Sequence, residues 1–343
     1  MQNEITESSN LLDDNGHLIQ KGWARKLLLN YNREKIKAGS LRIKEWDYYA
    51  ILNPNYGITF TIADLGFAGL IVAVWLDFKQ KTFISDEIMT FFTKGRFNMP
   101  RSSEEGDIKL SEKGITLSFE KQKDKRILTF DFPNYNNGEG LKADLILEQT
   151  PNMDSMVIAT PWKEKPTRFY YNQKINCMPA SGTVKKGNQI YTFSGDKNES
   201  YGVLDWGRGV WTRKNRWYWG SSSGKLEDGI RIGWNIGYGF SDRSYASENL
   251  LFYNGVGHKI DQVIFHFDPY DYLKPWKFSS NDGRFEMTMT PIVDRNSKAN
   301  LLIIKSIQHQ VFGIFNGFFI LDDGKKIEVK NLLGFAEDVF NKW

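Results

Sequence analysis

Hydrophobic and polar positions alternate with a period of two along most of the chain. Residues 114–120 place Ile115, Leu117 and Phe119 on one face, and residues 127–132 answer with Leu128, Phe130 and Phe132. The charged link 121–125 between them predicts a hairpin. Residues 46–52, 57–63, the apolar run that follows to 77, and 141–148 read as further strands, separated by Asn, Pro and Gly turns. Downstream, 262–268 sets Val263, Phe265 and Phe267 against Ile264, His266 and Asp268, and 284–290 lines up Phe285, Met287 and Met289. Residues 311–330 predict a hairpin around Asp322-Asp323-Gly324. Two stretches have helical spacing instead. Residues 22–36 bring Trp23, Leu27, Leu28 and Tyr31 to one face, and 335–343 predicts a short terminal helix. The three prolines of 151–166 suggest a junction, giving an N-terminal unit at 1–165 and a C-terminal unit at 166–343. This is the pattern of an all-β protein, with two consecutive antiparallel β-barrels or strongly curved sheets and few short helices.

Composition sharpens that reading. Aromatic residues make up 15% of the 343, and they are residues that strands favour. The net charge of +4 comes from 45 basic and 41 acidic side chains without a dense basic stripe, so no nucleic-acid partner is expected. One cysteine, Cys177, excludes an intrachain disulfide, and its expected place is the core. The longest apolar run has twelve residues, too few for a membrane helix, which needs about 20. With a polar, acidic first segment unlike a signal peptide, the expectation is a soluble cytoplasmic protein.

The densest candidate chemistry lies in 201–220, where Trp206, Trp211, Trp217 and Trp219 accompany Asp205 and Arg208. Each indole needs room for its rings and a partner for its N–H. Either these rings fill one end of the second barrel, or they line a cavity for an apolar or polycyclic molecule that Asp205 and Arg208 orient. An Asp205–Arg208 pair is expected to brace the barrel. Trp234 and Asn235 are further ligand-binding candidates, and Glu248, like Asp205, could supply an acid. The glycines at 233, 237 and 239 are expected to kink curved strands; without a βαβ unit or a following Lys-Ser/Thr they do not make a phosphate loop. Four histidines without HxxxH or CxxC spacing indicate no metal, and no cofactor is expected.

Gly22-Trp-Ala-Arg-Lys26, Ala159-Thr-Pro-Trp162, Tyr171-Asn172, Lys174, Met178-Pro-Ala-Ser-Gly182, Asp205-Trp-Gly-Arg-Gly209 and Glu248-Asn249 resemble the bacterial family called domain of unknown function 2804. The likeness spans nearly the whole chain. That family is distantly similar to lipocalin-like carotenoid hydratases (hydroxyneurosporene synthases), tocopherol cyclases and lipocalin-like pericyclases. The resemblance therefore implies two packed lipocalin-like barrels with an apolar ligand, and it transfers no catalytic residue. The expected function is binding of an apolar small molecule in a Trp-lined cavity. The alternative is a hydratase, cyclase or isomerase acting on an isoprenoid-like or polycyclic substrate, with Asp205 or Glu248 protonating it and aromatic faces stabilising the cation.

Overall fold

A computed structural model describes residues 2–301 and 304–342. Strands account for most of them, arranged as two curled antiparallel sheets, each a half-barrel. The first sheet runs in the order Thr82–Phe91, Ala68–Asp77, Tyr56–Asp64, Ile43–Leu52, Tyr201–Val210, Lys165–Lys186, Leu141–Glu148, Lys125–Phe132, Ile115–Gln122, Ile108–Glu112. The second runs Val256–Lys259, Leu250–Tyr253, Arg231–Tyr238, Lys214–Lys225, Lys326–Lys342, Ile304–Ile320, Phe285–Leu301, Trp276–Ser280, Val263–His266. The hydrogen bonding thus divides between Val210 and Lys214, and Trp206 belongs to the first sheet.

The predicted hairpin pairs Leu128 with Phe119 and Phe130 with Leu117, so its apolar face is continuous across both strands. The Asp322 turn likewise joins two strands, Ile304–Ile320 and Lys326–Lys342. The two predicted helices do not form. Residues 22–36 contain the strands Gly22–Ala24 and Leu29–Asn30 and a single 3-10 turn at Arg33–Lys35. Backbone pairing with Met156–Trp162 buries Trp23 as an extended residue, and that outweighs a weak helical preference. The terminal stretch is the end of the strand Lys326–Lys342, held between two long neighbours. The middle of the proline-rich stretch is also strand: every residue of Met156–Trp162 is buried.

Each curl has its own core. Phe60, Phe130, Tyr171, Leu204 and Trp206 fill the first, and Trp234, Trp276, Phe285 and Phe315 the second. Two more clusters lie where the sheets meet, one with Val72, Val203, Trp219 and Phe335, the other with Met156, Tyr170, Phe240 and Leu250. The central strand Tyr201–Val210 is therefore buried on both faces, with Leu204 and Trp206 inward and Val203 and Asp205 towards the other sheet. A bulge between Ile175 and Met178, with Cys177 at φ 59°, sets Asn176 into the second sheet. Its amide donates to Ser221 Oγ at 2.8 Å, Trp234 O at 3.0 Å and Ser222 O at 3.3 Å.

Candidate active site

Strand register builds a polar row in the middle of this apolar seam. Tyr48, Asp205 and Lys174 are direct cross-strand neighbours on three adjacent strands. Directly opposed residues share a face, so all three side chains point at the second sheet. Lys174, only 3% exposed, ion-pairs with Asp205 at 2.7 Å. Two residues along the same strand, Asn172 donates to Asp205 Oδ1 at 2.6 Å and to Trp206 O at 2.7 Å.

The second sheet answers with its own row: Trp219 is paired with Glu337, and Glu337 with Gln310. The Lys174 ammonium sits 3.8 Å from the Trp219 ring centroid, a cation over an aromatic face. Trp219 Nε1 donates to Asn235 Oδ1 at 2.7 Å, and the Asn235 amide donates to Glu248 O at 2.6 Å, which fixes the start of the strand after Glu248. Gln310 Nε2 donates to Glu337 Oε1 at 2.7 Å and reaches the Tyr48 hydroxyl at 2.8 Å, tying the sheets together. Trp217 Nε1 stands 3.4 Å from the other Glu337 oxygen. Trp46, Tyr48, Trp211, Trp217 and Glu337 all keep some accessible surface although they lie along the seam, so the sheets do not close fully over them.

The electrostatics follow from counting charges. Asp205, Glu248 and Glu337 gather about one ammonium, that of Lys174. Burial pushes the Glu337 carboxyl up to about 7; Lys174 opposes the rise and the Asp205 charge adds to it. Glu248 is raised for the same reasons in the same order, with Arg243 and Lys259 as more distant counter-charges. One oxygen of Glu248, Oε2, is buried without a hydrogen-bond partner. Burial and the facing Glu248 charge hold the Tyr170 hydroxyl well above its ordinary value. A carboxyl raised to about 7 is only partly ionised at neutral pH, and here it stands beside aromatic side chains. Among the described residues, no group of three or more His, Cys, Asp or Glu side chains is placed to hold a metal.

The family model for a domain of unknown function, DUF2804, matches residues 2–343. The chain belongs to the DUF2804 family. No curated protein matches it in sequence. Solved structures of similar fold include a candidate ATTH from Nitrosomonas europaea, with 15% identity, TM-score 0.52, and coverage of 90% of this chain and 96% of that one. CghA with Sch210972 is similar at 9% identity and TM-score 0.52, over 98% and 97% of the two chains. Kievitone hydratase from Nectria haematococca is similar at 12% identity and TM-score 0.47, over 92% and 95%. At such identities the fold is what is shared.

In this DUF2804 chain the residues singled out from sequence separate into three groups. Asp205, Trp217, Trp219, Asn235 and Glu248 come together at the seam, and Trp211 packs edge-on to Trp217 at 6.0 Å. Trp206 stays inside the first curl, edge-on to Tyr31 and Tyr171, and Trp234 inside the second, against Phe285 and Phe315. The expected Asp205–Arg208 pair does not form, because residues three apart on a strand point to opposite faces. Arg208 turns inward instead, ion-pairs with Asp47 at 3.0 Å, and donates to Pro100 O at 2.8 Å. Tyr48, Tyr170, Lys174, Gln310 and Glu337 were not legible as site residues. The parity of Tyr170, Asn172 and Lys174 along one strand was the available signal. A pocket of about 470 Å³ is lined by Trp162, Lys163, Ser241, Asp242 and Arg243 among others, and not by Trp206, Trp211, Trp217 or Trp219. No helix of the described residues is long and apolar enough to cross a membrane.

Proposed function

We propose that this protein is a proton-transferring enzyme of the hydratase, cyclase or isomerase class, acting on an apolar unsaturated small molecule held between its two sheets. The observation that carries the reading is the set of three carboxylates about Lys174 (Asp205 and Glu248 buried, Glu337 half-buried), beside Trp46, Trp211, Trp217 and Tyr170. A carrier of an apolar ligand needs shape alone, and buried acids would only cost it solvation. Glu337, raised to about 7, is the proposed acid, with Glu248 the second proton-holding group. Asp205, in contact with Lys174, serves as the fixed charge that helps raise both. In the reaction the Glu337 proton forms a C–H bond at one alkene carbon. The neighbouring carbon becomes cationic against the indole faces, and water addition, ring closure or loss of a proton to a carboxylate discharges it.

Freshly purified protein is to be examined by native mass spectrometry for a co-purifying apolar molecule, which is then incubated with the enzyme in D₂O. Deuterium entering a carbon position with wild type, and not with Glu337→Gln, is the expected result. Equal labelling by both proteins would overturn the assignment of the acid. A bound molecule that takes up no label with either would return the protein to the carrier reading.

A further inference from the structure

Phe240 belongs to an irregular segment between the strands Arg231–Tyr238 and Leu250–Tyr253. Its neighbours Gly239 and Ser241 both have left-handed backbone, φ 94° and 58°, so the chain reverses sharply around it and drives the ring inward. Four rings receive it at near-perpendicular angles: Tyr170 and Trp211 at 4.9 Å, Trp162 at 5.0 Å and Trp217 at 5.6 Å between centroids. This is an aromatic box with one phenyl group in it. Three of its walls come from the first-sheet side of the seam or its end, whereas the occupant comes from the second. On its outer side lies the pocket of about 470 Å³, lined by Ser241, Asp242, Arg243, Ser244 and Ser247 of the same segment. On the inner side the segment ends at Glu248.

We infer that the box is a binding site for a planar carbocyclic group of the ligand, that the Phe240 ring stands in for that group, and that residues 239–244 form the door. Withdrawal of Phe240 joins the outer pocket to the seam, and the ring that replaces it lies beside Tyr170 and Trp217, which touch Glu248 and Glu337 electrostatically or by hydrogen bond. That stretch is held by Thr160 Oγ1 to Ser241 Oγ at 2.6 Å and the Asp242 amide to Pro161 O at 2.8 Å, whereas Tyr245 O accepts from Asn3 N at 2.9 Å and Ser247 N donates to Gln2 Oε1 at 2.7 Å, which fixes the base of the segment. The inference rests on the seam as the ligand site but not on proton transfer, so a binding measurement judges it separately from the labelling experiment.

Naphthalene serves as the probe, followed by tryptophan fluorescence and calorimetry. If the open state is populated at about 10% or less, deleting the plug in Phe240→Ala should tighten naphthalene binding by roughly tenfold or more. A Thr160→Cys/Ser241→Cys variant should lose binding when oxidised and regain it on reduction, a reversible control that does not depend on how well the alanine variant folds. Equal affinity of wild type and Phe240→Ala, or unaltered binding by the oxidised double-cysteine variant, would overturn the inference.

Discussion

At the scale of single residues, the protein places ionisable groups where their environment sets their chemistry. The Glu337 carboxyl, ordinarily titrating at 4.5, is raised to about 7, mainly by desolvation. A carboxyl whose folded value exceeds its unfolded one binds more protons when folded, so stability is complete below the unfolded value and falls as pH rises through the folded one. The window is therefore about 4.5 to 7. Thermal unfolding followed across it should show wild type losing up to about 3 kcal/mol, a ceiling that solvent reaching the seam reduces. Glu337→Gln should lose less over the same window. A variant that loses as much would show that Glu337 is not the group concerned. Lys174 illustrates why residues of this kind escape a linear reading. A lysine in a strand ordinarily signals a solvated face, and here the partner that buries it, Asp205, lies 31 residues away on a neighbouring strand.

At the scale of elements, alternation made the strands legible wherever one face is apolar and the other wet, as in Ile115–Gln122 and Lys125–Phe132. It failed where both faces are covered. In Tyr201–Val210 and Met156–Trp162 every residue is buried, so no period of two survives. The stretch from Phe335 onward mixes apolar and acidic residues at helical intervals, yet it is strand because both its neighbours pair with it. Glu337 lies within that stretch, so its helical spacing conceals the residue's place in the sheet. The docking of one sheet on the other depends heavily on one side chain, Asn176, whose amide satisfies three acceptors of the second sheet. Asn176→Ala leaves Ser222 O and Trp234 O short of a donor in a buried place. Denaturant unfolding should show a loss of about 1–3 kcal/mol. A loss of only a few tenths would mean that apolar packing alone aligns the sheets. Gly207, opposite Trp46, shows the same tightness: a Cβ there would overlap the indole.

At the scale of the whole molecule, two half-barrels fill their own interiors with aromatic rings and leave the seam between them for polar chemistry. The sequence carried the all-β class, the curved sheets and several residues of the seam, Asp205 and Glu248 among them. It could not show which rings face the core and which the seam, because that depends on register between distant strands. The 9–15% identity to structures of similar fold leaves function to be argued from the seam itself. The proposed chemistry requires a carboxylic acid there that still carries its proton near neutral pH. Infrared difference titration of wild type and Glu337→Gln, from about pH 5 to about pH 9, tests this directly. In wild type a protonated-carboxyl band should disappear with a midpoint of about 7, and that band should be missing from the variant. Identical spectra for the two proteins across that range, with no carboxyl titrating near neutrality, would contradict it.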